Sequence, residues 1–143
     1  MTAKLELTET HNRSIDKVFQ FIAVEHVRNH PRWDPEMKLE KLTDGPIGVG
    51  TVIHRINSHS GTPVEGTMEV TEFEPNQSMG VVIRDGGAET RARMTFEALG
   101  EEQTLVTTYV EIPGLDESTD TAPLAKAIGR SIRNRKQLIK AEL

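Results

Sequence analysis

Three side chains in this sequence have the chemistry for proton transfer beside a carbonyl: His54, Tyr109 and Glu111. A buried imidazole or carboxylate with a shifted pKa can remove a proton alpha to a carbonyl. A tyrosine hydroxyl can hydrogen-bond the enolate oxygen that forms, and together these are what an aldol cyclisation or a dehydration needs. Whether the three meet depends on strand facing. If Val52 and Ile56 point inward, His54 does too. On the last strand Leu105, Thr107, Tyr109 and Glu111 share one face, and Thr104, Val106, Thr108 and Val110 the other. Either face fits an interior, and a β-bulge exchanges them. No motif enforces the geometry of acid–base work, so the same groups serve equally to orient a ligand, and binding without catalysis is the favoured expectation.

Other constellations carry less. His26 and His30 lie four apart, a spacing that places two imidazoles on one helix face as metal ligands. Pro31 follows at once, no glutamate lies between them and no third histidine stands nearby, so they are expected as solvent-facing turn residues, with no metal and no cofactor. The glycine-rich stretch Gly45 to Gly50 lacks the Gly-Lys-Ser/Thr ending of a phosphate loop and leads into a strand, so it is expected as a tight connection at a rim. Arg84, Arg91 and Arg93 flank the turn Asp85-Gly86-Gly87 and suit either a ligand carboxylate or, more simply, a solvated strand face.

The chain is 143 residues long, 36% hydrophobic and 27% charged, which fits a single domain over 1–143 with one core. The absence of cysteine excludes disulfides, thiolate zinc sites and a thiol nucleophile. A net charge of −5 argues against an affinity built on phosphates, so no nucleic-acid partner is expected. No apolar run is long enough for a membrane span or a signal-peptide core, which leads to the expectation of a cytoplasmic protein.

The elements that must position these residues follow from periodicity. Lys4 to Thr10 alternates, with Leu5 and Leu7 on one face. Ser14 opens a short helix whose Ile15, Val18, Phe19 and Ile22 recur at helical spacing. His26 to Pro35, with two prolines and the only tryptophan, reads as a broken helical turn that tucks Trp33 against the core. Met37 to Leu42 reads as an edge strand. Thr51 to Asn57, Val64 to Phe73, Ser78 to Arg84, Glu89 to Leu99 and Thr104 to Ile112 follow, joined by short turns that imply an antiparallel meander. After Pro113-Gly114, the residues Asp116 to Thr121 form a helix-start signal.

From about Thr121 to Leu143 the pattern is one long amphipathic helix. Leu124, Ile128, Ile132, Ile139 and Leu143 fall on one face, and Lys126, Arg130, Arg133, Gln137 and Lys140 on another. A curved sheet about a single helix can keep a hollow between them. Ala122, Ala125 and Gly129 lie beside the apolar line, and a glycine inside a helix costs about 1 kcal/mol relative to alanine, so room for a ligand is one expected compensation and close packing the other. The expected lining is Trp33, Met68, Met94, Phe96, Ala125, Ile128, Gly129 and Ile132, with Thr90 and Ala92 beside Met94 and Phe96.

The order strand, two short helices, meander and long terminal helix resembles the helix-grip fold of the START-like superfamily, of α+β class with about seven strands. Ile15-Asp16-Lys17-Val18-Phe19, Trp33-Asp34-Pro35, Gly48-Val49-Gly50-Thr51, Val70-Thr71-Glu72-Phe73-Glu74-Pro75 and Leu138-Ile139-Lys140-Ala141-Glu142 narrow the resemblance to the bacterial polyketide cyclase/dehydrase branch, SRPBCC. That resemblance implies a hydrophobic, lipid-like or polyketide-like small molecule held between sheet and helix. It also allows a cyclase or dehydrase using the same cavity, or an interaction module that docks a protein on the basic helix face. An aromatic content of 4% weighs mildly against flat polyketide rings.

Overall fold

A computed structural model describes residues 2–114 and 121–143. Its elements run β1 (Thr2–His11), α1 (Ile15–Phe19), one π-helical turn (Gln20–Val24), α2 (His26–Trp33), β2 (Met37–Lys41), β3 (Val52–Asn57), β4 (Val64–Glu74), β5 (Ser78–Asp85), β6 (Ala88–Gly100), β7 (Gln103–Pro113) and α3 (Ala122–Glu142). The strands form one seven-stranded antiparallel sheet in the order β1-β7-β6-β5-β4-β3-β2. This is the helix-grip arrangement that the resemblance implied. The turns are those the sequence suggests: Asn76, one of the few residue types that accept a positive φ, takes φ 60° between β4 and β5, and Gly86 takes φ 60° between β5 and β6. The helix-start signal over Asp116 to Thr121 lies, apart from Thr121, outside the described residues.

The segment after α1 is more regular than a broken turn. The Glu25 amide reaches back to the Gln20 carbonyl at 2.9 Å, an i to i+5 bond that makes the π-turn. α2 then runs through Pro31, whose missing N–H leaves only the Val27 carbonyl without its intrahelical donor. Asn29, fully buried, donates to the Phe21 carbonyl at 2.9 Å and ties the two pieces together.

These short helices plug one end of the space between sheet and α3. Phe19 packs edge-on between Phe73 and Phe96, with ring centroids 5.3 and 4.9 Å away. Met68, Val70, Met79, Val106 and Ile139 complete this core. The expectation that Met68 and Phe96 border a hollow is therefore corrected: both are buried beneath α1 and the π-turn.

α3 is anchored in this same half. Arg135 is buried, and its guanidinium pairs with the buried Glu9 of β1 through Nη2 to Oε1 and through Nε to Oε2 at 3.2 Å. His11 Nε2 lies 2.6 Å from the same Oε2, and the Arg135 guanidinium sits 5.0 Å above the centre of the Trp33 ring.

At the opposite end of the sheet, Arg55 of β3 reaches across β4 to Asp85 of β5. Nη2 donates to Oδ2 at 2.9 Å, with Nε 2.8 Å from Oδ1. The strand it crosses carries Gly66, which pairs with Arg55 on one side and Asp85 on the other. A Cβ at Gly66 would overlap the Arg84 carbonyl oxygen and Asp85 Oδ1, so the ion pair needs glycine here. Gly66→Ala should cost roughly 2–3 kcal/mol by forcing backbone apart, read as a lower urea midpoint. A change within the noise would show that the strand has slack to admit a methyl group.

Candidate functional site

Away from the plugged end, the first half of α3 faces the sheet across open space among the described residues. The space is a cavity of about 720 Å³, the size range of small-molecule sites. Ile83, Ala92, Val110, Leu124, Ile128 and Ile132 give it an apolar wall, while His30, Asp34, Arg55, Asn57, His59 and Asp85 give it a polar end. Glu36, Ser60, Pro123 and Arg130 line it and are exposed, so they form its rim.

The structure distributes the residues expected from sequence as follows. Trp33, Ile128 and Ile132 line the cavity, as do Thr90 and Ala92. Met94 packs against the core, with its sulfur 3.8 Å from Arg135 Nη1, and does not line the cavity. Ala125 and Gly129 do not line it either: the helix presents Leu124, Ala127, Ile128 and Ser131 instead. A Cβ on Gly129 would touch only Arg133 Nη1, at 3.7 Å.

His54, Tyr109 and Glu111 do not converge on the cavity, because strand parity puts them on the other face. β3 turns Ile53, fully buried, and Arg55 and Asn57 inward, which leaves His54 outside with Val52 and Ile56 and its Nε2 3.8 Å from Glu65. β7 turns Thr108, Val110 and Ile112 inward. Tyr109 is 39% exposed and pairs in register with Arg93, and Glu111 with Arg91. Those arginines belong to the solvated face, where Arg93 Nε binds Glu72 at 3.0 Å and Arg91 Nη2 binds Glu89 at 3.2 Å.

The polar end contains groups that sequence reasoning assigned elsewhere or passed over. His26 and His30 share a helix face as their spacing predicts, but they bond to each other instead of facing solvent. The Ile22 carbonyl can only accept, so His26 Nδ1, 3.0 Å away, carries the proton. Neutral His26 then accepts at Nε2 from His30 Nδ1, at 3.0 Å. His30 stacks on Trp33 with 5.5 Å between ring centres. Asp34 Oδ2 accepts from His59 Nε2 at 2.8 Å, and Oδ1 from the Glu36 amide at 3.4 Å. The signal available in sequence was the phase of Ile53-Arg55-Asn57, read with a glycine at the pairing position on the next strand. Thr108 lines the cavity, and its buried Oγ1 has no hydrogen-bond partner among the described residues. An unmet hydroxyl of this kind costs about 1–3 kcal/mol.

Burial holds the His26 imidazole down to about 4. Burial, and next the neighbouring His26, keep His30 well below the usual imidazole value. Burial works to raise the Glu9 carboxyl, but the Arg135 charge and hydrogen bonds from His11 and Arg135 outweigh it and hold Glu9 low. Since the folded state of each histidine takes up its proton only at lower pH than the unfolded chain does, stability is fully present above pH 6.5 and falls as pH drops toward 4. From His26 alone, unfolding free energy at pH 5 should lie about 2 kcal/mol below that at pH 7, measured by urea unfolding. His26→Phe should flatten this dependence, and an equally steep profile in the variant would refute the assignment.

Comparison with curated proteins gives no match. Among solved structures, Ara h 8.0201 superposes with a TM-score of 0.77 at 12% identity, covering 99% of this chain and 100% of that one. Norcoclaurine synthase from Thalictrum flavum, solved in complex with dopamine and hydroxybenzaldehyde, superposes with a TM-score of 0.71 at 18% identity, covering 100% and 89%. A major latex-like protein from Panax ginseng superposes with a TM-score of 0.77 at 16% identity, covering 96% and 97%. At these identities the likeness is one of fold. The family model described as polyketide cyclase / dehydrase and lipid transport matches residues 2–143, and the chain belongs to that family.

Proposed function

We propose that this protein binds a hydrophobic small molecule in the cavity beneath the first half of α3. The observation that carries the reading is the division of a single cavity of about 720 Å³ into an apolar wall and a polar end. Such a division suits a ligand with a hydrocarbon or ring body and a polar head. Trp33, Ile83, Ala92, Val110, Leu124, Ile128 and Ile132 are its proposed apolar contacts. The family, which joins cyclases and dehydrases to lipid transport, supports a ligand of this kind. Carriage of the ligand is the favoured reading, and a cyclase or dehydrase in the same cavity would have to draw its proton-transfer groups from His30, Asp34 and His59 in place of His54, Tyr109 and Glu111. The rim arginine Arg130 and the exposed Lys126, Arg133 and Lys140 leave docking of a protein partner as a further reading.

Cavity-filling substitutions separate binding from mere fold. Ala92→Trp should abolish uptake of an apolar fluorescent naphthylamine probe while leaving the far-ultraviolet circular dichroism unchanged. Gly129→Leu, whose side chain points away from the cavity, should leave uptake as it was. Unchanged uptake in Ala92→Trp would place the probe elsewhere and defeat the proposal. A second expectation concerns Thr108. Thr108→Val keeps the shape and removes the unpartnered hydroxyl, so it should raise the thermal midpoint of the ligand-free protein by an amount corresponding to about 1 kcal/mol.

A further inference from the structure

The hydrogen bonds at the polar end run in one direction, and this direction specifies a head group. The Ile22 carbonyl fixes the proton of His26 on Nδ1, so His26 Nε2 accepts, and His30 must donate from Nδ1. A neutral His30 then presents a bare Nε2, and among the described residues that atom has no hydrogen-bond partner. The carboxylate oxygen Asp34 Oδ2, 3.9 Å away, is itself an acceptor and is already bonded to His59. His30 lines the cavity, with its side chain 16% exposed. An acceptor here therefore waits for a donor from the ligand.

The surroundings decide which donor. A carboxylate head has no proton to give and would meet Asp34 as a like charge. An ammonium head would be attracted by Asp34, but that carboxylate is already bonded to His59, and burial with the Arg55 and Arg135 charges, which keep His30 neutral, opposes a further cation there. Arg55 and Arg135 are already charge-paired, with Asp85 and Glu9, so their charges are balanced before a ligand enters. A neutral hydroxyl donates one hydrogen bond and brings no charge. Resting on the binding function above, we infer that His30 Nε2 is the subsite for a ligand hydroxyl, so that the cavity takes apolar alcohols or phenols in preference to the corresponding acids and amines.

The test uses four compounds of matched body: 4-hexylphenol, its methyl ether, 4-hexylbenzoic acid and 4-hexylbenzylamine, each titrated against the naphthylamine probe bound to the intact chain. The phenol should bind about tenfold more tightly than the ether, the scale of one hydrogen bond made in a partly buried site. It should also bind more tightly than the acid and the amine. His30→Phe, which keeps an aromatic ring against Trp33, should bring the phenol-to-ether ratio close to one. Nitrogen-15 NMR of the wild-type protein supplies a reading that needs no variant: His30 should show an unprotonated Nε2 whose resonance moves upfield when 4-hexylphenol binds and stays in place with the ether. Equal binding of phenol and ether, tighter binding of the acid or amine, or a protonated Nε2 in the free protein would overturn the subsite while leaving the cavity as a binding site. Failure of all four compounds to displace the probe would overturn the subsite and the binding function together.

Discussion

The buried pair between Arg135 of α3 and Glu9 of β1 is the constraint on which the rest of the architecture depends. Both side chains are almost wholly withdrawn from water, a state tolerable only because each neutralises the other and His11 adds a further hydrogen bond to the carboxylate. Removing one partner of such a pair typically costs about 3–5 kcal/mol, because the other is left buried and unpaired. The pair pins the second half of α3 to the edge of the sheet, and the Arg135 guanidinium lies over Trp33. With Ile139 in the core beside α1 and the π-turn, this end of the helix is held on several sides. The first half of α3 then spans the sheet with no plug from the described residues beneath it, and the cavity is the result.

What makes that cavity more than a void is how its charges are spent. Arg55 and Asp85 satisfy one another across Gly66, Arg135 and Glu9 do so across the helix–sheet joint, and Asp34 is held by His59. The charges of the polar end are therefore largely paired from within, and among its neutral atoms His30 Nε2 and Thr108 Oγ1 have no hydrogen-bond partner among the described residues. Under the proposed binding function, such a site would discriminate by where a ligand can place a hydrogen bond more than by charge, because each wrong head group would leave a polar atom unmet.

The fold was legible residue by residue. The alternation of Lys4 to Thr10, the turn residues between the meander strands and the apolar line of Leu124, Ile128 and Ile132 each report a local preference, and the elements form where those preferences lie. The site was legible only in part, in Ile128 and Ile132 of α3 and in Thr90 and Ala92 of β6. Ile128 and Ile132 announce themselves by spacing and Trp33 by being the one tryptophan, whereas Met68 and Phe96, apolar and inward as expected, are covered by α1 and the π-turn at the other end of the sheet. Which end a short helix plugs is a matter of packing between segments far apart in the chain.

Strand facing escaped the sequence for a different reason. β3 carries Val52, His54 and Ile56 on one side and Ile53, Arg55 and Asn57 on the other, a pattern with apolar residues on both faces and therefore no amphipathic phase to read. An arginine reads as a solvated residue until its carboxylate is found, and Asp85 lies thirty positions on, beyond a strand that must carry glycine to let the pair meet. Likewise the spacing of His26 and His30 announced two imidazoles on one face, and only the π-turn, by aiming the Ile22 carbonyl at His26, decided which nitrogen carries each proton. The sequence by itself determined the kinds of element, their order and the fold they make, since these follow from short-range periodicity and turn chemistry. The tertiary structure alone decided which face of each strand looks inward, where the hollow lies and which polar atoms remain free within it, because these depend on pairings between residues that no local pattern connects.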